Sequence, residues 1–343
     1  MSKKFAADPD LAFELGSVGP LRRFLGTVYE IVSKPGAEYT IHRARQEDYI
    51  KAMVVDFLSV ANKASLRKAA VPVVRESAPP EDFEQPGRLG QEAPRFIGEL
   101  LWVARCSRPD IAYAVSLVAR FSVNWCRAAD RFLEKIVSYL AGSSDLGLHF
   151  WVKEGDRLHA VGLCDADHGS CPLSARSTSG MCVYLAGVGG SSALVAWGAR
   201  RQTCTASSTG EAEVVAANDL FKSFLFPLGA LVDQVSGEEV LTAMGSDASV
   251  AISALTAGVS TMRYLRKNHR ISLAAVSDNL KMENVKLVKV DTESNASDIF
   301  TKALAYDRFA FLRGLLGVWA PAACPPMAPT LAPDVLREAM ASI

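Results

Sequence analysis

The chain has 343 residues, of which 49% are hydrophobic and 22% charged, so it is not a disordered chain and can form one large or two modest domains. Lys plus Arg and Asp plus Glu both number 37, and the resulting zero net charge argues against a uniformly basic nucleic-acid-binding surface, although not against a local basic strip. Seven cysteines without a CxxC pair argue against a disulfide framework and favour an intracellular location, in the cytoplasm or nucleus. No apolar run approaches the roughly 20 residues of a membrane helix, so no membrane partner is expected.

The first half of the chain predicts a small mixed segment followed by helices. Residues 1–75 contain two short strand-like runs and a helix over 46–58, in which apolar residues recur every three to four positions. A stretch rich in Pro, Glu and Gly at 76–94 predicts a linker. Residues 95–150 have helical spacing and predict a helical connection.

The second half, over 155–319, predicts a sheet flanked by helices. Three short strand-like runs divided by Gly- and Ser-rich turns indicate an antiparallel meander, and a long helix with an apolar stripe begins at Ser208. Two further strands, 240–244 and 285–290, each precede a helix, which gives the order βββαβαβα. The Pro-rich tail, 320–343, is expected to be disordered, although its last part has the spacing of a short helix.

Four acidic residues stand in separate places in this second half, each in a setting that could aim its carboxylate at a common point: Asp165, Glu211, Asp247 and Asp298. Two divalent ions about 4 Å apart need such a cluster of oxygen ligands, and two-metal sites cleave phosphodiesters. Structural interpretations compete with this one. Asp165 could be a solvated strand end, and Asp298 could simply favour a helix dipole. From local sequence alone, capping is the better interpretation of Glu211 and Asp247, and Glu213 is expected at the surface.

The stretches that hold these carboxylates can be compared with a known family. They are Cys164–His168, Ser207–Val214, Ser246–Ile252 and Ala296–Leu304. They resemble Ser-Asp-Ala-Asp-Trp, Ser-Thr-Thr-Glu-Ala-Glu-Tyr, Cys-Asp-Asn-Gln-Ser-Ala-Ile and Val-Ala-Asp-Ile-Leu-Thr-Lys-Pro-Leu of copia-type LTR retrotransposon Pol polyproteins. Further segments are similar to the same family in the same order: Pro20–Gly26, Arg108–Ile111, Arg176–Gly180 and Ala196–Gln202. The resemblance therefore runs through most of the chain.

This resemblance implies a fold. The C-terminal part would be an α/β, ribonuclease H-like five-stranded mixed sheet with flanking helices, over 155–319. A remnant of the reverse transcriptase palm and thumb at 1–75 and a helical connection at 95–150 would precede it. The polymerase signature, an aromatic residue followed within two positions by Asp-Asp, does not occur in the chain, so DNA polymerisation is not expected from it.

The resemblance also implies an activity. The chain would be a metal-dependent endonuclease that cleaves the RNA strand of RNA–DNA hybrids, with the rest of a Pol polyprotein or a reverse transcriptase as its partner. Two Mg²⁺ or Mn²⁺ ions would be held by Asp165, Glu211, Asp247 and Asp298, since the first Glu of the family motif corresponds to Glu211. Weaker nucleic-acid contacts are expected from a polar and basic set: Arg176, Ser177, Thr178, Arg200, Arg201 and His269.

Departures from the family pattern keep a second interpretation open. His168 stands where the family has Trp, the Asn-Gln pair after Asp247 is lost, and the segment around His269 lacks an Asp. These changes support a decayed, catalytically inactive module that only binds nucleic acid or partners.

The metal-site interpretation makes a geometric prediction. Asp165 should lie centrally in the sheet with Glu211 in the first turn of the adjacent long helix, and the carboxylates of Asp165, Glu211 and Asp247 should meet at one end. Because like charges repel, at least one of them should have a raised pKa without metal.

Overall fold

One long mixed β-sheet organises the fold. The computed structural model describes residues 20–74, 78–171, 173–203, 205–257 and 273–342. Over these ranges the strands are β1 (Arg23–Phe24), β2 (Thr27–Ile31), β3 (Thr40–Arg45), β4 (Gly147–Val152), β5 (His159–Asp167), β6 (Thr178–Ala186), β7 (Ser192–Arg201), β8 (Thr242–Ser246), β9 (Val285–Lys289) and β10 (Val318–Trp319). Their order is β1-β2-β3-β4-β7-β6-β5-β8-β9, with β10 paired to β4.

Helices cover both faces of this sheet. Those of the described residues are α1 (Glu47–Val60), α2 (Ala93–Cys106), α3 (Ala112–Ala119), α4 (Arg127–Ala141), α5 (Thr209–Leu220), α6 (Phe226–Ser236), α7 (Ser249–Ala257), α8 (Leu273–Asn279), α9 (Tyr306–Leu315) and α10 (Leu331–Ala341). Short 3₁₀ turns occur at Pro80–Phe83 and Ala296–Phe300, and a π-helical turn, Phe221–Leu225, joins α5 to α6.

Strand β5 is the central strand of the C-terminal half, as the sequence predicts for the strand that carries Asp165. It pairs antiparallel with β6 and parallel with β8, while β6 pairs antiparallel with β7 and β8 parallel with β9. Its side chains alternate between two apolar clusters. Val161 and Leu163 pack on the side of α3, α4 and α10, whereas Ala160 and Cys164 pack on the side of α5.

The sheet is wider than the predicted five strands, because the N-terminal hairpin adds to it. Strand β3 pairs antiparallel with β4, and β4 pairs with β7 through Trp151 and Ser192. Residues 147–152, predicted as part of a helical connection, therefore form the strand that joins the N-terminal and C-terminal parts into one sheet. Leu148 and Trp151 are buried there. Packing of such apolar and aromatic side chains against the neighbouring strands favours a strand over a helix in this short segment.

Two segments predicted as irregular are packed. The predicted linker contains Phe83, whose ring lies 6.0 Å from that of Phe121 and 6.3 Å from that of Phe132. The expected disorder of the tail is wrong for α10, which packs on the sheet and buries Leu336 completely. An apolar stripe at three-to-four-residue spacing, with Pro333 in the first turn, supplies the helix.

Among the described residues, one helical stretch is long and apolar enough to cross a membrane. The continuous helical stretch Thr209–Ser236 has a mean hydropathy of 1.3 over an 18-residue window that is 50% buried inside the protein. Its α5 portion packs on β5 and β6, which is the position of a core helix.

The Arg-Pro-Asp-Ile segment forms a buried ion pair between α2 and α3. Arg108 is fully buried and donates from Nε and Nη2 to the two carboxylate oxygens of Asp110, at 2.9 and 2.8 Å. Tyr139 of α4 donates to Asp110 at 2.6 Å, and Arg108 also donates to the carbonyl oxygen of Ser143 at 2.7 Å. Burial by itself would raise the pKa of Asp110, but the guanidinium of Arg108 holds it below its ordinary value.

We predict that Arg108→Met lowers the free energy of unfolding by about 3–5 kcal/mol, because it leaves the Asp110 carboxylate buried without its partner. Urea unfolding at pH 7 measures this. Since the folded pKa of Asp110 is below its unfolded pKa, the contribution is present above the unfolded value and disappears as the pH falls through the folded one. Lys281→Met, which breaks an exposed pair with Asp278, is the control and should leave the unfolding midpoint unchanged. Equal midpoints for both variants would contradict a structural role for this pair.

Candidate active site

The acidic site is built at the C-terminal end of β5. Asp165 is 4% exposed and lies opposite Gly180 of β6. The hydroxyl of Thr301 donates to Asp165 Oδ2 at 2.5 Å, and Lys302 Nζ lies 3.5 Å from the same oxygen. Thr301 and Lys302 directly follow the 3₁₀ turn Ala296–Phe300, so the position of that turn determines which side chains contact Asp165.

Gly180 allows this close approach. A Cβ at Gly180 would lie 2.6 Å from the carbonyl oxygen of Ser297 and 2.9 Å from the Cβ of Phe300. Any larger residue would push the turn away from β6. Gly180, which ends the Arg-Ser-Thr-Ser-Gly segment, is therefore required for the position of this turn, although it contributes no side chain to the site.

Asp298 lies within this turn and shares a cation with Asp165. Lys302 Nζ is 2.8 Å from Asp298 Oδ1, so the ammonium sits between the two carboxylates. Arg308 of α9 donates from Nη2 to Asp298 Oδ2 at 3.0 Å. The structure thus brings Asp298 to Asp165, as the sequence predicts, and neutralises the pair with two basic side chains.

Asp247 follows β8 and is held by a side-chain amide. Asn295 Nδ2 donates to the carbonyl oxygen of Cys164 at 2.9 Å and to Asp247 Oδ1 at 3.0 Å. One amide therefore links the ends of β5 and β8. Asn295 also caps the 3₁₀ turn, since its Oδ1 accepts from the backbone N–H of Ser297. Sequence reasoning missed Asn295, although it stands three residues before Asp298 at a turn start, the place where Asn side chains bond locally.

Glu213, rather than Glu211, faces the aspartates. The backbone N–H of Glu211 bonds to Ser208 Oγ at 3.2 Å, and Glu211 Oε2 accepts from the N–H of Ser207 at 2.6 Å. The Ser208 cap is the one that local sequence favours, although the Glu211 carboxylate accepts from the residue before the cap and not from the N–H of the cap residue itself. Glu213 is only 8% exposed, and its electrostatic neighbours are Asp165 and Asp247. The expectation that Glu213 lies at the surface, away from the cluster, is wrong.

Two carboxylates of the cluster have raised pKa values, and burial contributes more to both shifts than repulsion between the carboxylates does. Burial, with added repulsion from Asp165 and Asp247, raises the pKa of Glu213 to about 8. Burial also raises the pKa of Asp165 to about 6; Lys302 and Thr301 oppose this shift, while Asp298 and Asp247 add to it. A site that holds carboxylates this close to protonation at neutral pH has a strong electrostatic preference for a cation.

The donor chemistry of the cluster suits a hard divalent cation. All donors are carboxylate oxygens, and Glu213 Oε2 is buried without a hydrogen-bond partner. The separations do not yet match a formed site, because over the described ranges no three His, Cys, Asp or Glu side chains lie close enough to hold one metal ion. Lys302 stands between Asp165 and Asp298, so a cation that binds both has to displace its ammonium.

The residues expected to contact nucleic acid differ in their exposure. Ser177 and Thr178 are fully buried and hold the loop after β5, with Thr178 accepting from Arg120 at 3.0 Å, so they are not free to contact a ligand. Arg200 and Arg201 are exposed at the end of β7, and Arg200 lies over the ring of Phe224 at 4.8 Å. Arg176 is half-exposed. His269 lies outside the described residues.

Comparison with known proteins decides the family. No family model matches the chain. It is 25% identical over 320 residues, 92% of its length, to the retrovirus-related Pol polyprotein from transposon TNT 1-94 of Nicotiana tabacum. It is 30% identical over 118 residues, 34% of its length, to the retrovirus-related Pol polyprotein from transposon RE1 of Arabidopsis thaliana. This chain belongs to the copia-type retrotransposon Pol polyproteins.

The chain corresponds to a limited part of these family members. It spans 23% of the tobacco polyprotein and 8% of the RE1 polyprotein. It is also 24% identical, over 202 residues and 59% of its length, to an uncharacterised mitochondrial protein of Arabidopsis thaliana, of which it spans 76%. The similarity to the tobacco polyprotein includes both the N-terminal strands and the acidic cluster, since it covers nearly the whole chain.

We predict that Glu213→Gln flattens the pH dependence of stability between pH 5 and 9 in the absence of metal. The folded pKa of Glu213, about 8, is above its ordinary value, so the stability gained from its protonation is lost as the pH rises through about 8. The variant cannot ionise there and should be more stable than the parent at pH 9, by urea unfolding in EDTA. Glu154→Gln, an exposed carboxylate, is the control and should keep the parental slope. A variant with the parental slope would place Glu213 outside the cluster.

Proposed function

We propose that this chain carries a ribonuclease H-type endonuclease that cuts the RNA strand of RNA–DNA hybrids and works as part of a larger Pol polyprotein. The observation that carries the proposal is the gathering of Asp165, Glu213, Asp247 and Asp298, from four separate elements, around one end of β5. A structural role gives no reason to bury several like charges together, whereas phosphodiester hydrolysis needs such a cluster.

The fold supports the same proposal. The five C-terminal strands have the order β7-β6-β5-β8-β9, with an antiparallel meander of the first three in sequence and parallel pairing of β8 and β9. Helix α5 lies on β5 and β6. This arrangement is consistent with a ribonuclease H-like fold. The retrotransposon Pol polyproteins among the relatives are consistent with it.

The four carboxylates would hold two Mg²⁺ or Mn²⁺ ions. When bound, such ions lower the pKa of an attacking water and stabilise the leaving 3′ oxygen. The contribution of the chain is to orient the carboxylates: Thr301 fixes Asp165, Asn295 fixes Asp247 and Arg308 fixes Asp298. Lys302 keeps the cluster assembled without metal and is placed to contact a phosphate oxygen once it leaves the carboxylates.

Selection of an RNA–DNA hybrid over other nucleic acids would depend on contacts with the groove and backbone of the duplex. A protein distinguishes RNA from DNA through the 2′-hydroxyl groups and recognises duplex shape through the phosphates. Arg200 and Arg201, exposed at the end of β7, are available for such contacts. The carboxylates themselves carry no preference for a sugar.

A second candidate is a module that binds hybrids without cutting them. It is favoured by the position of Lys302 between Asp165 and Asp298, where its charge replaces part of what a metal would supply. The two candidates share the fold and differ in whether a divalent cation displaces this ammonium.

We predict that the chain cuts RNA in a labelled hybrid when Mg²⁺ or Mn²⁺ is present and leaves single-stranded RNA and duplex DNA largely intact. Asp165→Asn should abolish cutting, since it removes a ligand charge and keeps the side-chain shape. Glu213→Gln should slow cutting by about 100-fold or more, on the scale seen when one electrostatic catalytic group is lost. Gel analysis of the cleaved strand measures both.

Glu211→Gln is the matched control for Glu213→Gln. It weakens the capping arrangement, at a cost of about 1 kcal/mol of stability, and should leave the cleavage rate near that of the parent. A larger loss of cleavage in Glu211→Gln than in Glu213→Gln would return the catalytic role to Glu211. A parent that binds hybrids and never cuts them would establish the second candidate.

We further predict that Mg²⁺ stabilises the parent in thermal unfolding. Binding to the folded state alone adds roughly 1.4 kcal/mol when Mg²⁺ is tenfold above its Kd. Asp165→Asn should lose this dependence, whereas Lys302→Met should be less stable without metal and gain more from Mg²⁺, because no ammonium has to be displaced. A melting temperature of the parent that does not respond to millimolar Mg²⁺ would contradict the metal site.

A further inference from the structure

A basic groove of about 610 Å³ lies on the N-terminal helical part of the chain, apart from the acidic cluster. Its charged lining comes from the loop after α1 and from the exposed side of α4: Lys63, Arg67, Lys68, Arg131, Glu134 and Lys135. None of the four clustered carboxylates is part of it. We refer to this depression as the basic groove.

Most of the positive charge in the basic groove is uncompensated. Arg67 and Lys68 are exposed and Lys135 is half-exposed, and no acidic side chain pairs with them among the residues that the structure describes. Lys63 pairs with Glu134, and Arg131 pairs with the buried Asp82. Within the described ranges, the five basic side chains of the lining therefore have only two carboxylate partners, Glu134 and Asp82.

This excess of positive charge is local. The chain as a whole has 37 basic and 37 acidic residues, so a random surface region would be neutral. A positive region on a neutral protein attracts polyanions to that one place. The uncompensated cations also repel one another, and a bound polyanion would reduce this repulsion.

A second cavity, of about 390 Å³, is lined by residues of the acidic site and by residues close in sequence to the groove lining. Phe132, which follows Arg131 on α4, lines this cavity, as does Val73, which follows the loop of Arg67 and Lys68. Asp167 and Lys302, at the acidic cluster, also line it.

The composition of the groove favours a duplex over a single strand. Proteins that bind single strands stack the bases on aromatic side chains. The described lining of the groove contains no aromatic ring; apart from the charged residues it consists of Ala69 and Ser138. Arg131 and Lys135, four residues apart on α4, are about 6 Å apart along the helix axis, which lets both contact one run of phosphates.

We propose that the basic groove binds the phosphate backbone of a nucleic-acid duplex. That this duplex is an RNA–DNA hybrid rests on the proposed function. Binding in the groove itself needs no metal and no cutting, since it depends on phosphate charge alone.

The test is the binding of a fluorescein-labelled RNA–DNA hybrid of 20 base pairs, followed by fluorescence anisotropy in EDTA at several salt concentrations. The triple variant Arg67→Gln, Lys68→Gln, Lys135→Gln should bind at least tenfold more weakly than the parent. The slope of log K against log salt should become shallower by about 2 to 3, since each lost phosphate contact contributes roughly 0.9.

A matched variant removes three exposed cations from the first hairpin: Arg22→Gln, Arg23→Gln and Lys34→Gln. It changes the net charge equally and should keep the parental affinity and slope. Circular dichroism and melting temperature verify that both variants fold. Equal weakening in both variants, or no weakening in either, would overturn the proposal. So would displacement of the hybrid by polyglutamate as effectively as by duplex DNA of equal charge, which would indicate an acidic protein as partner.

Failure of this proposal is distinguishable from failure of the proposed function. A parent that binds through the groove and does not cut with Mg²⁺ refutes the endonuclease and leaves the groove intact. A parent that cuts, and whose hybrid affinity is indifferent to the triple substitution, refutes the groove alone.

Discussion

Burial of several carboxylates at one end of a central strand is the constraint on which the rest of this structure depends. Asp165 and Glu213 sit in surroundings that favour their protonated forms, and repulsion from Asp247 adds to the effect of burial on both. A fold keeps such an arrangement only if other groups offset the charge. Lys302 does so between Asp165 and Asp298, which makes its ammonium the internal counterion of the cluster.

The cluster also depends on backbone contacts that carry no charge. Gly180 lets the turn Ala296–Phe300 lie against β6, and Asn295 links that turn to the ends of β5 and β8. The sheet, the turn and the long helix α5 are thus fixed relative to one another by packing and hydrogen bonds. This frame positions the carboxylates, and Lys302 offsets part of the repulsion between them in the absence of a divalent cation.

Sequence reasoning located most of this site and misplaced one residue for a physical reason. Asp165, Asp247 and Asp298 could be found because each stands in a long segment that resembles the family. Glu211 and Glu213 are two residues apart and so about 200° apart around a helix, and which one faces the sheet depends on the packing of α5. The capping signal of Ser208 correctly predicted that the backbone N–H of Glu211 bonds to the Ser208 side chain.

Other features were beyond local sequence because they depend on distant partners. Strand β4 forms because β3 and β7 flank it, and α10 is ordered because its apolar stripe covers the sheet. Neither partner lies near in sequence. The basic groove likewise combines a loop with a helix 60 to 70 residues further on.

The most direct test of this account is a carboxyl-detected NMR titration of Glu213 and Asp165, with EDTA and then with Mg²⁺. The account predicts that Glu213 titrates near pH 8 and Asp165 near pH 6 without metal, and that Mg²⁺ lowers both pKa values. A Glu213 carboxyl group that titrates at its ordinary pKa and does not respond to Mg²⁺ would contradict a shared metal-binding cluster.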